Sequence, residues 1–270
     1  MASSSSSPMA IRCYQAGNKE AEDSIVFLNG LFHNHKAWIR QERYPDFKKQ
    51  YRLIYLDYPG CGETPQSNNE ISFLEIVDNI AKLIKQLTSK PVNLIGYSVG
   101  GMFAMALTSR HPGLVKRLVL LNTSATVAGH ASKIVEGVAR SIRSGDDLKS
   151  IFSLVYPWFY SAKYLPRIAS MESLLLDQYA SYNRNREGVL KLLQAIGSKP
   201  DLQEMAAEID CPTLIVSGSD DTVFPVSHQE ALQTQIRESQ HLTLQDTGHC
   251  SYIENHRPLN QAIGKFFCQN

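Results

Sequence analysis

Six short apolar runs, several of them nearly continuous, spaced by amphipathic stretches, constrain this chain more than any other feature of its sequence. Residues 24–29, 51–57, 92–97, 118–122, 213–218 and 241–245 each read as a strand, bounded by turn residues such as Gly30 and Pro59-Gly60. Runs apolar at successive positions suit strands covered on both faces. The intervening stretches carry a helical period. Residues 71–87 place Phe73, Ile76, Val77, Ile80, Leu83, Ile84 and Leu87 on one side, and 102–110 ends at His111-Pro112-Gly113. Residues 229–236 and 259–267 read the same way. Strand and helix in alternation predict an α/β fold, a mostly parallel doubly wound sheet with helices on both faces.

The rhythm breaks once. Residues 123–210 show helical patterns and no strand, which predicts a helical cap inserted into a core made of 10–122 and 211–270. An insertion there covers the carboxyl edge of the sheet, where such folds keep their ligands. It carries Tyr156-Pro157-Trp158-Phe159-Tyr160 and then Tyr164-Leu165-Pro166. These aromatics either line a pocket or form the core of the insertion itself. Residues 1–9 are serine-rich, lack the pattern of a signal peptide and read as disordered.

A formal net charge of +1 supplies neither lever for binding nucleic acid or an anionic membrane. No stretch of eighteen apolar residues predicts a membrane span. The five cysteines are widely spaced, without a Cys-x-x-Cys pair, and read as reduced thiols in a cytoplasmic protein. They form no zinc pattern, and neither a metal nor a cofactor is expected.

Gly96-Tyr97-Ser98-Val99-Gly100 sits where an expected strand meets an expected helix, the setting of a nucleophile elbow. So tight a turn tolerates little side chain two positions either side of the serine, and glycine holds both. It lifts the hydroxyl above the sheet and turns the Val99 amide toward the same point. A serine hydroxyl needs a base within hydrogen-bond reach and a carboxylate to orient that base. The chain order for this elbow is serine, acid, histidine. Asp220 and Asp221 both follow the end of an expected strand, and His249 follows the last one. His33 and His35 are the next candidates, following the first strand as either pocket-lining or solvated loop residues, with the second reading preferred, and His111 reads as structural. Cys250 reads as packing.

On these residues the chain resembles the α/β-hydrolase superfamily over nearly everything after the serine run. The family's Gly-x-x-Asp-x-x-x-Pro stretch is matched by Gly218, Asp221 and Pro225, which selects Asp221 as the acid. Its Asp-x-x-Gly-x-Gly-x-Ser stretch is matched by Asp57, Gly60, Gly62 and Thr64, read as a structural turn; the third glycine of a dinucleotide loop is missing. The family's first loop is His-Gly-x and here is Asn29-Gly30-Leu31, so the resemblance implies that the amides of Leu31 and Val99 form the oxyanion hole. Phe32, Tyr97, Trp158, Phe159 and Val223 are the expected pocket. Asn29-Gly30, the length of the insertion and Tyr164-Leu165-Pro166 are also similar to acyltransferases that handle 3-hydroxyacyl carrier-protein thioesters.

What the resemblance implies is a serine hydrolase of a carboxylic ester or acyl thioester, free or carrier-bound, working through an acyl-enzyme. Dehalogenases and epoxide hydrolases of this fold need a carboxylate where Ser98 stands. An aminopeptidase would want acidic cap residues in the pocket, and nothing places Glu172, Asp177 or Glu187 there. The alternatives are an acyltransferase and, from another class, a hydrolase-like small-molecule receptor, against which three correctly ordered groups argue. The oligomeric state is not legible.

Overall fold

The computed structural model describes residues 11–62, 64, 70–127 and 129–269; the serine-rich residues 1–9 lie outside these. Seven strands form one sheet: β1 (Arg12–Gly17), β2 (Ser24–Leu28), β3 (Arg52–Asp57), β4 (Val92–Tyr97), β5 (Val115–Leu121), β6 (Thr213–Gly218) and β7 (Ser239–Leu244). Their spatial order is β1-β3-β2-β4-β5-β6-β7. β1 runs antiparallel to β3, and every other neighbouring pair is parallel.

Strands β2, β4 and β6 are buried at every position, as their unbroken apolar runs require. The sequence reading misses β1, because an edge strand reading Arg-Cys-Tyr-Gln-Ala-Gly has no apolar period. It also starts β5 too late. Lys116 and Arg117 lie within that strand, and the Lys116 ammonium reaches Asp23 beside the sheet.

Two short helices, α1 (Ile39–Glu42) and α2 (Pro45–Gln50), precede β3. Helix α3 (Phe73–Leu87) starts at a capping box in which Ser72 and Glu75 satisfy each other's backbone amides. Helix α4 (Val99–Arg110) follows β4 directly and is buried from Val99 to Thr108. A helix so enclosed needs apolar or small residues all round. Between β5 and β6 come α5 (Gly129–Ser144), α6 (Leu148–Val155), a 3-10 turn (Tyr156–Phe159), α7 (Leu165–Ala169), α8 (Glu172–Tyr182), α9 (Arg186–Gly197) and α10 (Leu202–Ala207). No strand occurs in this stretch among the described residues. Helices α11 (Val226–Gln235), α12 (Ser251–Glu254) and α13 (His256–Phe267) complete the chain. Among the described residues no helix is long and apolar enough to cross a membrane.

Because β2, β4, β5, β6 and β7 are parallel, the segments that follow them share one edge of the sheet. Residues 29–33, Ser98, Asn122, Asp221 and His249 all lie on those segments.

Candidate active site

The turn between β4 and α4 holds Ser98 at φ 53° and ψ −120°, a left-handed conformation that a side chain disfavours. Hydrogen bonds to its backbone over-determine it. The Ser98 amide donates to the Leu121 carbonyl at 2.9 Å, and the Ser98 carbonyl accepts from Gly101 N at 2.9 Å and from the Thr123 hydroxyl at 2.6 Å. The flanking glycines are there for space. A Cβ on Gly100 would lie 2.3 Å from the Leu28 carbonyl oxygen, and one on Gly96 would lie 2.5 Å from that of Gly100. The close approach of α4 to the end of β2 sets residues 29–31 beside the elbow. Val99 is the first residue of α4, where an amide has no acceptor within the helix.

Ser98 Oγ lies 3.0 Å from His249 Nε2, and His249 Nδ1 lies 2.9 Å from Asp221 Oδ2. Asp221 is held from both sides. Its Oδ1 accepts from the amides of Val223 and Phe224, each at 2.9 Å, and its Oδ2 also accepts from Asn122 Nδ2 at 3.0 Å. Asp220 is exposed, with its carboxylate on Ser219. Of the two neighbouring carboxylates only Asp221 meets the imidazole.

Two supporting residues escape the sequence reading. Asn122, left-handed at φ 45°, bridges Asp221 and the Gly248 carbonyl. Glu254 accepts from Gly248 N at 3.1 Å and from the Ser161 amide and hydroxyl at 3.2 and 2.7 Å. It therefore ties the residue before His249 to the helical segment. Burial pushes the Glu254 carboxyl above its usual range, against those three donors.

The loop after β2 is anchored by Asn29. Its Nδ2 donates to the Leu56 carbonyl and to Asp57 Oδ1, and its Oδ1 accepts from the Trp38 indole at 2.7 Å. Asp57 also receives the His35 amide and its Nδ1, both at 2.7 Å. The Asp57 turn thus secures the loop that carries Leu31, and His35 belongs to this anchor.

His33 takes the pocket-lining alternative and not the preferred solvated one. It is 6% exposed and lines the space above Ser98, with Nδ1 on the Leu31 carbonyl at 3.0 Å and Nε2 on the Tyr179 hydroxyl at 3.2 Å. Burial pushes its pKa down to about 4, with His249 adding a smaller effect in the same direction. The unfolded value is near 6.5, so the stability this neutral imidazole contributes is present above pH 6.5. It is lost as pH falls toward about 4, and the difference is about 3 kcal/mol. His33→Gln, which cannot titrate, is expected to flatten the loss of stability between pH 6.5 and 4. Urea unfolding across that range measures it, and an unchanged slope contradicts it.

The cavity over Ser98 is narrow, with a volume of about 50 Å³ open to the centre of a water molecule. Leu31, Phe32, Tyr97, Val99, Phe159, Val223 and His249 line it, with Met102, Val127, Ala131, Ile134, Val135, Ile196 and Phe224. Among the described residues no Asp, Glu, Lys or Arg lines it. Trp158 is not there either, contrary to the sequence reading. It is 43% exposed, in an outer groove beside His130, because neighbouring positions on the 3-10 turn face different ways and Phe159 takes the inward one. Tyr156 and Tyr160 are buried away from this lining, as packing of the helical segment. Cys250 is buried against the Tyr97 hydroxyl, 3.3 Å away. Among the described residues no group of three or more His, Cys, Asp or Glu could hold a metal ion.

The sequence model of the alpha/beta hydrolase fold matches residues 23–256, and the chain belongs to that family. Among its relatives is the (E)-2-((N-methylformamido)methylene)succinate hydrolase of Acinetobacter baylyi, 26% identical over 243 residues and covering 89% of each chain. Among solved structures it is similar to MGS-M2, an alpha/beta hydrolase enzyme from a deep-sea metagenome library, with a TM-score of 0.87, 22% identity and coverage of 96% and 94%. It is likewise similar to the enol-lactonase of Burkholderia xenovorans, with a TM-score of 0.86, 22% identity and coverage of 96% of each chain. Family and relatives together support a hydrolase.

Proposed function

We propose that this chain is a serine hydrolase that cleaves a small, neutral ester or acyl thioester through an acyl-enzyme. Ser98 is the nucleophile, His249 the base and Asp221 the acid that orients it. The amides of Leu31 and Val99 receive the oxyanion, and the helical segment 123–210 is the cap. What carries this reading is the unbroken chain from Ser98 Oγ to His249 at 3.0 Å and on to Asp221 at 2.9 Å, opening into an apolar cavity.

In the proposed reaction His249 Nε2 takes the hydroxyl proton as Ser98 Oγ attacks the carbonyl carbon. The imidazolium is stabilised by Asp221 and then protonates the leaving alcohol or thiol. Water, deprotonated by the same imidazole, clears the acyl group. Apolar walls and preorganised amides favour charge developing on the oxyanion.

The lining also selects among substrates. A carboxylate or ammonium on the acyl group would be buried without a counter-charge, at a cost of several kcal/mol. The succinate in the name of the Acinetobacter relative carries charges for which this cavity has no partner. We expect kcat/KM for 4-nitrophenyl butyrate to exceed that for the 4-nitrophenyl monoester of succinic acid by about 100-fold or more. Steady-state hydrolysis of the two esters, with butyryl and succinyl thioesters beside them, tests this. Values within threefold of each other would contradict the proposed selectivity.

A further inference from the structure

The loop that carries Leu31 is held at its start by Asn29 and Asp57 and by its own turn, His33 N on the Gly30 carbonyl at 3.3 Å, but its far end leans on the helical segment. Phe32 stands at φ 66°, a conformation that a phenylalanine disfavours, and it is buried. Its backbone and neighbours are held from the helical segment. Asn183, just past the end of α8, donates from Nδ2 to the Phe32 carbonyl at 3.0 Å and to the Tyr179 carbonyl at 2.8 Å. The His33 Nδ1 proton goes to the Leu31 carbonyl, which can only accept, so neutral His33 offers Nε2 as an acceptor. The Tyr179 hydroxyl donates to it at 3.2 Å. The Phe32 ring meets Phe152 of α6 edge-on at 5.3 Å, and Phe152 in turn stacks on Tyr179. Both Tyr179 and Asn183 are 2% exposed, so water does not substitute for either bond.

We propose that Tyr179 and Asn183 are positioning residues, which hold the 31–33 loop so that the Leu31 amide faces the oxyanion. This rests on the assignment of that amide given above. The segment that covers the substrate then also completes the oxyanion hole. Moving α8 away would release the Phe32 carbonyl and His33 together and let the strained loop relax.

The test uses the full chain with Tyr179→Phe and Asn183→Ser, neither of which touches Ser98, His249 or Asp221. Tyr179→Phe removes the donor and keeps the ring on Phe152. With 4-nitrophenyl butyrate we expect kcat to fall about 10- to 30-fold in each, part of what losing a whole oxyanion donor costs, with KM changed less than threefold. Butylboronic acid forms a bond from Ser98 Oγ to boron, its tetrahedral oxygen taking the oxyanion position. Its inhibition constant should weaken by the same factor as kcat. A merely structural role would lower the melting temperature and leave kcat per folded molecule and boronate affinity unchanged. If Asn183→Ser does not fold, Tyr179→Phe decides alone. Folded Tyr179→Phe with kcat and boronate affinity within twofold of the parent overturns the proposal. Ser98→Ala, run in parallel, separates the two failures: an inactive Ser98→Ala beside an unaffected Tyr179→Phe overturns only this inference, whereas an active Ser98→Ala overturns the catalytic reading and this inference with it.

Discussion

Ser98→Ala should lower kcat by a factor on the order of 10⁶ while leaving the fold and KM nearly unchanged. The hydroxyl it removes makes the Ser98 hydrogen bond to His249, at 3.0 Å. The bonds that hold the turn are made by the Ser98 backbone, to Leu121, Gly101 and Thr123, and an alanine keeps all of them. At φ 53° alanine is strained much as serine is, so little stability is lost. The amides and the cavity remain, and with them a residual rate above that of water. Steady-state hydrolysis of an aryl ester, with a thermal melt beside it, measures both halves of this expectation. A kcat within tenfold of the parent would mean that the reaction does not pass through this hydroxyl.

Asp221→Asn should cost about 10⁴-fold in kcat, although it changes one atom. The two carboxylate oxygens face different partners. Oδ1 accepts from two backbone amides, of Val223 and Phe224, so an asparagine must keep its carbonyl there. Its NH₂ is then turned toward His249 Nδ1 and Asn122 Nδ2, where the carboxylate had accepted. An NH₂ only donates, which forces His249 Nδ1 to accept and moves the ring proton to Nε2. That proton faces Ser98 Oγ, and the imidazole can no longer take one from it. The packing of the loop is preserved, so the loss falls on kcat. Ring nitrogen chemical shifts of His249 should show the exchanged tautomer. A variant with normal tautomer and full activity would remove Asp221 from the mechanism.

The parts of this molecule that were legible in the sequence are those set by local sterics and by burial on both faces. Strands β2, β4 and β6 announce themselves because no position in them faces water. Gly96, Ser98 and Gly100 announce the elbow because a Cβ at either glycine would strike backbone. His249 and the Asp220-Asp221 pair follow from strand ends, since parallel strands deliver their carboxyl ends to one edge, and the family resemblance selects Asp221 from the pair. What stayed hidden depends on partners distant in the chain. His33 reads as a solvated loop residue until Tyr179, 146 positions on, takes its Nε2. Glu254 carries no local signal, and its importance comes from Ser161 across the helical segment. Trp158 and Phe159 are indistinguishable by composition, and only the path of the 3-10 turn separates the inward ring from the outward one. β1 was hidden because an edge strand half in water need not be apolar.

Covalent labelling tests the central claim most directly. A fluorophosphonate reacts with a serine only where a base activates the hydroxyl and amides hold the phosphoryl oxygen. On the intact protein, peptide mass spectrometry should find one equivalent of label, on Ser98, absent from Ser98→Ala and strongly slowed in His249→Ala. No labelling of the folded protein, or labelling confined to another residue, would contradict the account.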